Sequence, residues 1–278
     1  MLQTMNYPGG KSGAGVYQTL INLMPPHDVY VEPFLGGGAV MRLKRPAAVN
    51  VGIDRDRTAL EMALLPAGSY RRPLVPSLPA VPAAGNGEPR RRRSPFQAVA
   101  DPIDFSAGAG QRSLLCEGDG IEFLRSTRLP PSTLVYCDPP YLRSTRATRR
   151  DLYRFEMTDT QHCELLAVLK TLKCRVMISG YSSTLYAREL KSWNVCAFQA
   201  ATRGKPAVEW VWYNYPRPVE LHDYRYLGQT FRERERITRQ KRRWLARLEK
   251  MPTLQRQALL SAIATLGDGV LHSVSSTP

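Results

Sequence analysis

Short apolar runs alternate with amphipathic segments along most of this chain. Apolar runs of this length, bounded by turn residues, are typical of buried strands, and they lie at about residues 28–34, 48–54, 112–117, 132–138, 174–180, 194–200 and 207–215. The segments between them have helical periodicity at about residues 12–23, 37–45, 57–65, 120–127, 159–172 and 183–191. This alternation predicts an α/β fold, with about seven mainly parallel strands and helices on both faces of the sheet.

Two regions interrupt the alternation. Residues 66–111 are rich in Pro, Ala, Gly and Arg and contain few large apolar side chains, which predicts a mobile basic region. Residues 217–278 predict a basic helical extension. Its first helix spans residues 231–250, with nine basic and three acidic residues, and its second spans residues 254–266 and ends near Gly267. The other residues, 1–65 and 112–216, are predicted to form the main domain.

Charge and cysteine usage narrow the class of protein. The formal net charge is +15 and the sequence pI is about 9.9, which favours a polyanionic partner, nucleic acid before membrane. Five cysteines at irregular spacings and four scattered histidines predict neither a disulfide framework nor a metal site. Because no signal peptide and no membrane-spanning apolar run is found, we expect a soluble cytoplasmic protein, bacterial or phage-encoded and monomeric.

The most informative motif is Asp138-Pro139-Pro140-Tyr141, which follows the apolar run 133–137. A carboxylate, two rigid prolines and an aromatic ring at the end of a strand suit a planar base that carries an exocyclic amine. Asp138 and the carbonyl of Pro139 would accept hydrogen bonds from the amine, while Tyr141 would stack on the ring. The same tetrapeptide can also form an ordinary turn.

A glycine cluster follows an earlier strand, in the segment Glu32-Pro33-Phe34-Leu35-Gly36-Gly37-Gly38. Glycine permits positive φ and close approach of a ligand, and in open α/β sheets ligands bind at such strand ends. The next apolar run ends in Asp54, an acid placed to bind ribose hydroxyls. The spacing differs from the Gly-x-Gly-x-x-Gly dehydrogenase pattern. The alternative is a glycine-rich turn with a surface Asp.

Taken together, these motifs resemble the Dam-type DNA adenine methyltransferases. The segment Tyr7-Pro8-Gly9-Gly10-Lys11-Ser12 is similar to that family's opening motif, residues 32–38 to its S-adenosylmethionine motif, and residues 138–141 to its catalytic motif. The resemblance covers roughly residues 5–65 and 112–216. It implies a Rossmann-like methyltransferase sheet and an S-adenosylmethionine-dependent catalytic domain. The family's usual recognition segment is not found in residues 66–111.

The resemblance also implies roles for individual residues. Cofactor contacts would come from Tyr7, Lys11, Glu32, Pro33, Phe34, Gly36, Gly38, Asp54, Asp119 and Asp138, and catalysis would rest on Asp138, Pro139, Pro140 and Tyr141. Asp119 would bind the adenine end of the cofactor. Tyr153 and Phe155 either line a base pocket or belong to the core, and we favour the core. Because Tyr141 is expected to stack, Tyr141→Phe should be mild and Tyr141→Ala severe.

The inferred reaction is methyl transfer from S-adenosylmethionine to the exocyclic N6 of an adenine flipped out of duplex DNA. Basic residues would contact DNA phosphates, namely Arg90, Arg91, Arg92, Arg93, Arg239, Arg242 and Arg243. For residues 66–111 a solvated linker stays open, and for the extension a packing helix with a charged face. Other open functions are a cytosine or RNA methyltransferase and, in a different class, a non-catalytic DNA-binding protein on a methyltransferase scaffold.

Overall fold

The computed structural model describes residues 10–64, 97–98, 103–106, 110–146, 150–200 and 207–274. The chain divides into two compact units, Met1–Tyr226 and Leu227–Pro278. Among the helices within these described ranges, none combines the length and apolar character needed to cross a membrane.

The first unit is built on one eight-stranded sheet. Its strands are β1 (Val29–Glu32), β2 (Val49–Asp54), β3 (Gln97–Ala98), β4 (Arg112–Glu117), β5 (Thr133–Cys137), β6 (Arg175–Gly180), β7 (Asn194–Ala200) and β8 (Ala207–Tyr213). The spatial order is β3-β4-β2-β1-β5-β6-β8-β7. All neighbouring strands pair in parallel except at β8, which pairs antiparallel with both β6 and β7.

Helices cover both faces of this sheet, as predicted. They are α1 (Val16–Ile21), α2 (Ala39–Leu43), α3 (Arg57–Ala63), α4 (Gly120–Ser126), α5 (Asp159–Thr171) and α6 (Thr184–Glu189). Successive residues of a strand face opposite sides of the sheet. In β1, Val29 and Val31 therefore pack in the core beneath α4, α5 and α6, while Tyr30 packs in the core that contains α1 and α2.

The strand order places a crevice at the carboxyl ends of β1 and β5. These two strands are neighbours, with Val29 of β1 paired to Thr133 of β5. The chain leaves β1 towards β2 on one side, whereas β5 continues to β6 on the other side. Such a reversal of strand order opens a ligand crevice at the carboxyl ends of the strands. The glycine cluster and residues 138–141 therefore meet at one edge of the sheet.

The predicted fold class is confirmed, and region 66–111 needs a correction. The seven predicted strands are all present. An eighth, β3, lies within the region for which only mobile chain is predicted, and it pairs with β4 at the sheet edge. Ile103 and Phe105 of the same region pack against the core. These two large apolar residues stand close to the next strand, and a two-residue edge strand is too short to give a periodic signal.

The second unit contains two helices, α7 (Phe231–Glu249) and α8 (Thr253–Val274). The hydroxyl oxygen of Thr230 caps α7 by accepting from the backbone N–H of Glu233, 3.2 Å away. The prediction that the last helix ends near Gly267 is wrong, because α8 continues to Val274. A glycine costs a helix only about 1 kcal/mol relative to alanine and no proline follows it before Pro278, so the backbone continues through.

The junction between the two units lies after residue 226 rather than at residue 217. The segment around Asp223 is bound to the first unit, where its carboxylate accepts from the backbone N–H of Arg45 at 2.7 Å. The backbone N–H of His222 also donates to the carbonyl of Met24 at 2.9 Å. Residues 221–226 thus hold the ends of α1 and α2 against each other.

Candidate active site

An open cleft of about 880 Å³ lies at the carboxyl ends of the central strands. Its walls come from the loops that follow β1, β2, β4 and β5, together with the segment before α1. It brings together many of the residues for which the sequence predicts a role, namely Lys11, Glu32, Pro33, Phe34, Gly36, Gly38, Asp54, Asp119, Asp138 and Pro140. Tyr7 lies outside the described residues.

The glycine loop, residues 33–38, forms one wall and is held by backbone geometry. Gly36 and Gly38 have φ values of 51° and 61°, in the left-handed region that favours glycine. Asp54 fixes this loop, because its Oδ2 accepts from the N–H of Gly36 at 2.7 Å while its Oδ1 accepts from the N–H of Asp56 at 2.8 Å. Burial raises the pKa of Asp54.

Two further acids border this wall, each with a partner inside the protein. Glu32 is 3% exposed, and burial raises the pKa of its carboxyl to about 8 even though the hydroxyl of Tyr30 donates to it at 3.0 Å. Asp119 caps α4 by accepting from the N–H of Ile121 at 2.7 Å, and it forms an ion pair with Arg55. Asp119 is therefore a structural cap as well as a residue lining the cleft.

The start of α4 approaches the glycine loop closely. A Cβ at Gly120 would collide with the carbonyl oxygen of Pro33. Only glycine fits this contact, so the position holds the walls after β1 and β4 together. The role of Gly120 cannot be predicted from the sequence, because one glycine after an acidic residue gives no local signal.

The opposite wall is organised by side chains, in a group that we call the Asp138 cluster. It consists of Lys11, Asp138, Tyr141, Ser179 and Glu209. Oδ1 of Asp138 lies 2.9 Å from Nζ of Lys11 and accepts from the hydroxyl of Ser179 at 2.7 Å. Because both contacts are made to Oδ1, Oδ2 keeps its lone pairs, within the described part of the chain, for an incoming donor.

Lys11 connects the members of this cluster. Its ammonium donates to the hydroxyl of Tyr141 at 2.8 Å and lies 3.6 Å from Oε2 of Glu209. The Tyr141 hydroxyl in turn donates to the same Glu209 oxygen at 3.2 Å. Burial alone would lower the pKa of Lys11, but the charges of Asp138 and Glu209 raise it above its ordinary value. Lys11 is therefore a fixed cation between two carboxylates.

Tyr141 is held by contacts within the protein that a ring expected only to stack on a base would not need. Its residue is 8% exposed and its ring packs edge to face against Tyr181, with centroids 4.8 Å apart. The hydroxyl makes two hydrogen bonds within the cluster. Tyr141→Phe would remove both while keeping the ring, so we expect a small loss of turnover.

The loop that follows residues 138–141 is held by an ion pair. The guanidinium of Arg146 donates to both oxygens of Glu156, at 2.8 and 2.7 Å, and its Nε donates to the carbonyl of Tyr141 at 2.7 Å. Burial alone would raise the pKa of Glu156, but hydrogen bonds from Arg146 and from two backbone N–H groups lower this pKa to about 2. This pair holds Tyr153 and Phe155 in the cleft wall, so the expectation that they are core residues is wrong.

The predicted DNA-binding residues lie on the second unit or outside the described ranges. Arg239, Arg242 and Arg243 lie exposed on α7 of the second unit. Arg90, Arg91, Arg92 and Arg93 fall outside the described residues. Among the described residues, no group of three or more His, Cys, Asp or Glu side chains is arranged to hold a metal ion.

Sequence reasoning missed Ser179 and Glu209. Glu209 lies near the start of β8, and Trp210 beside it pairs with Gly180 at the end of β6. Because β8 runs antiparallel, its amino-terminal end reaches the same sheet edge as the carboxyl ends of the parallel strands. An acid inside an apolar run, combined with an antiparallel last pair, is the signal that identifies this residue.

Solved structures show distant likenesses. The precorrin 8w decarboxylase of Methanobacterium thermoautotrophicum is 14% identical, with a TM-score of 0.41 over 77% of this chain and 96% of its own. An rRNA methylase from Streptococcus thermophilus is 11% identical, with a TM-score of 0.39 over 71% and 93%. The magnesium protoporphyrin IX methyltransferase of Synechocystis, solved with bound S-adenosylmethionine, is 10% identical, with a TM-score of 0.38 over 72% and 76%. Likenesses this distant carry no information about the substrate.

No curated protein matches this chain. One part of the chain matches the model of a known family. Residues 122–200, less than a third of the chain, match the model of the family described as D12 class N6 adenine-specific DNA methyltransferase. This range includes β5, residues 138–141, the Arg146–Glu156 pair and Ser179. The match confirms the resemblance predicted from the sequence: residues 122–200 are similar to this family.

Proposed function

We propose that this protein transfers a methyl group from S-adenosylmethionine to the exocyclic N6 of adenine in DNA. The observation that carries this proposal is Asp138, which lines the cleft while Lys11 and Ser179 hold its Oδ1. An acceptor oxygen fixed at the cleft in this way is what a weakly nucleophilic aromatic amine requires. The family match to residues 122–200 supports adenine as the base.

The residues of the glycine loop fit S-adenosylmethionine. The left-handed Gly36 and Gly38 turn the backbone at the cleft wall, and Glu32, Asp54 and Asp119 surround it with acidic groups. Their carboxyl oxygens can accept hydrogen bonds from the hydroxyl and ammonium groups of this cofactor. When bound, it supplies a methyl group on a positively charged sulfur that leaves as a neutral thioether.

The chain's own residues prepare the amine for attack. An adenine amine shares its lone pair with the ring, so hydrogen bonds to Oδ2 of Asp138 and to the Pro139 carbonyl orient that lone pair towards the methyl group. The carboxylate also stabilises the positive charge that develops on nitrogen. Fixing both reactants in one cleft replaces a bimolecular search. The nitrogen then loses a proton to Asp138, which passes it to solvent.

The adenine must leave the helical stack to reach this cleft. Tyr153 and Phe155 line the cleft next to Asp138 and offer aromatic surface for the extruded base. Each base–aromatic contact contributes roughly 1–3 kcal/mol. The proposed base pocket is therefore formed by the loop that Arg146 and Glu156 hold closed.

Helix α7 supplies a surface suited to DNA phosphates. Five arginines recur at spacings of three and four and so share one face of the helix, namely Arg232, Arg236, Arg239, Arg243 and Arg247. Within the described residues none of them forms an ion pair. Arg242 points about 100° away from this stripe, so we no longer group it with Arg239 and Arg243.

The stripe is tested by the salt dependence of DNA binding. Arg239→Ala with Arg243→Ala should reduce the slope of log affinity against log salt by about 2. Lys241→Ala with Arg242→Ala removes the same charge from other faces and serves as the control. Equal slopes for the two variants would show that the stripe is only a solvated face.

The reaction itself is tested by product analysis. The purified protein is incubated with S-adenosylmethionine and unmethylated duplex DNA, and the digested nucleosides are identified by mass spectrometry beside an Asp138→Ala control. We expect N6-methyladenine with the wild-type protein and none with the Asp138→Ala variant. Methylcytosine, methylated RNA in a parallel reaction, or no product with either nucleic acid would each refute adenine in DNA as the substrate.

A further inference from the structure

Glu209 has no part in the mechanism above, yet it lies inside the Asp138 cluster. It is 7% exposed, and its Oε2 is 3.6 Å from the Lys11 ammonium and 3.2 Å from the Tyr141 hydroxyl. Burial raises its pKa, and the charge of Lys11 offsets part of that shift. A buried carboxylate is costly unless it is paired, so its presence here calls for a function.

The charges of the cluster indicate what that function is. A lysine paired with Asp138 alone would neutralise the carboxylate that must attract the amine. Because Lys11 contacts both carboxylates, its charge is shared between them and does not neutralise Asp138 alone. The negative charge that Asp138 retains lies where the accepting nitrogen becomes positive, and a preorganised charge stabilises such a transition state strongly.

Glu209 also fixes the direction of the hydrogen bonds within the cluster. The Lys11 ammonium donates to the Tyr141 hydroxyl, and this hydroxyl donates to Glu209. The single proton of the hydroxyl is therefore used in the hydrogen bond to Glu209. Glu209 thus contacts both Lys11 and Tyr141. Glu209 reaches them from β8, an element on which none of the predicted site residues lies.

We propose that Glu209 is a positioning residue of the methyl-acceptor pocket: it shares Lys11 with Asp138 and fixes the Tyr141 hydroxyl, which keeps Asp138 a charged acceptor for the amine. This inference rests on the proposed methyltransferase function. It assigns Glu209 an effect on the transition state, without contact to the cofactor.

The first test is Glu209→Gln, which keeps the size of the side chain and an acceptor for Tyr141 but removes the charge. We expect kcat to fall by roughly tenfold to a hundredfold while the Kd for S-adenosylmethionine, measured by calorimetry, changes by less than about twofold. Unchanged kcat in an active preparation would overturn the proposal. Lost cofactor binding would also overturn it, since Glu209 would then support the cofactor wall.

A matched control separates this effect from loss of stability. Asp223→Asn alters another buried acid, 2% exposed, which pairs with Arg225 at 2.7 Å and lies outside the Asp138 cluster. It should lower Tm at least as much as Glu209→Gln and leave kcat unchanged. A proportional loss of kcat and Tm in both variants would reduce Glu209 to a structural residue.

A double-mutant cycle tests whether Glu209 acts through Lys11. In a Lys11→Met background the shared ammonium is absent, so Glu209→Gln should change the remaining kcat by less than about threefold. The full effect in that background would contradict the sharing of Lys11. No turnover by the wild-type protein would instead refute the proposed function, so the two failures are distinguishable.

Discussion

The two walls of the cleft are organised in different ways. The glycine loop is held by backbone groups, since Asp54 accepts from the N–H groups of Gly36 and Asp56. The Asp138 cluster is held by side chains that come from the segment before α1 and from β6, β8 and the end of β5. In the first wall the groups that are held are backbone N–H groups, which other elements fix from β2 and α4, whereas in the second wall side chains hold one another.

This difference predicts that single substitutions damage the two walls in different ways. Changes in the glycine loop wall should weaken cofactor binding and leave the protein folded. Changes in the Asp138 cluster should affect turnover and stability together, because each member neutralises or orients another. The following substitutions test that contrast, in order of decreasing expected effect.

Lys11→Met should have the largest effect. It leaves Asp138 and Glu209 as buried carboxylates without their shared cation, and breaking a buried pair in this way costs about 3–5 kcal/mol. Urea unfolding at pH 7 measures the loss. Adding Glu209→Gln should recover part of the stability, because it removes one unpaired charge. A variant as stable as the wild type would show that the two carboxylates do not depend on Lys11.

Glu32→Gln should change how stability depends on pH. The pKa of Glu32 is raised to about 8 in the fold from an ordinary value of 4.5, so between these values the folded state retains a proton that the unfolded chain has released. Stability should therefore fall as pH rises through this window, by at most roughly 1.4 kcal/mol per pH unit. Denaturation at pH 6 and pH 8 should show a flatter profile for the variant, and identical profiles would exclude the raised pKa.

Asp54→Ala should act on the cofactor wall alone. Hydrogen bonds to a charged group contribute about 1.5–3 kcal/mol, so releasing Gly36 should raise the Kd for S-adenosylmethionine by roughly tenfold to a hundredfold. At saturating cofactor kcat should be retained. Calorimetry and saturation kinetics measure the two effects. A loss of kcat with normal binding would invert the assignment of the two walls.

Tyr141→Phe should have the smallest effect. It removes the hydroxyl that hydrogen-bonds to Lys11 and Glu209, but it keeps the ring and the direct contact of Lys11 with Glu209 at 3.6 Å. We expect kcat to fall threefold to tenfold with cofactor binding unchanged. Steady-state kinetics with Tyr141→Ala alongside checks this. Wild-type turnover by Tyr141→Phe would show that the hydroxyl does not position the pocket.

Much of the fold follows from local patterns. Buried parallel strands are continuous apolar runs, which is why β1, β2 and β5 are found close to their predicted bounds. The edge strand β3 and the continuation of α8 beyond Gly267 escape prediction, because each depends on contacts or on a small balance of propensities. The prediction that Tyr153 and Phe155 belong to the core fails because an aromatic residue in a sequence does not show whether it lines a pocket or packs in the interior.

The order of strands and helices, the glycine loop after β1 and the placement of Asp138 at the end of β5 can be predicted from neighbours in the chain. The partners of Asp138 cannot, because Lys11, Ser179 and Glu209 are remote in sequence and converge through the strand order. Glu209 reaches the Asp138 cluster because β8 runs antiparallel to β6.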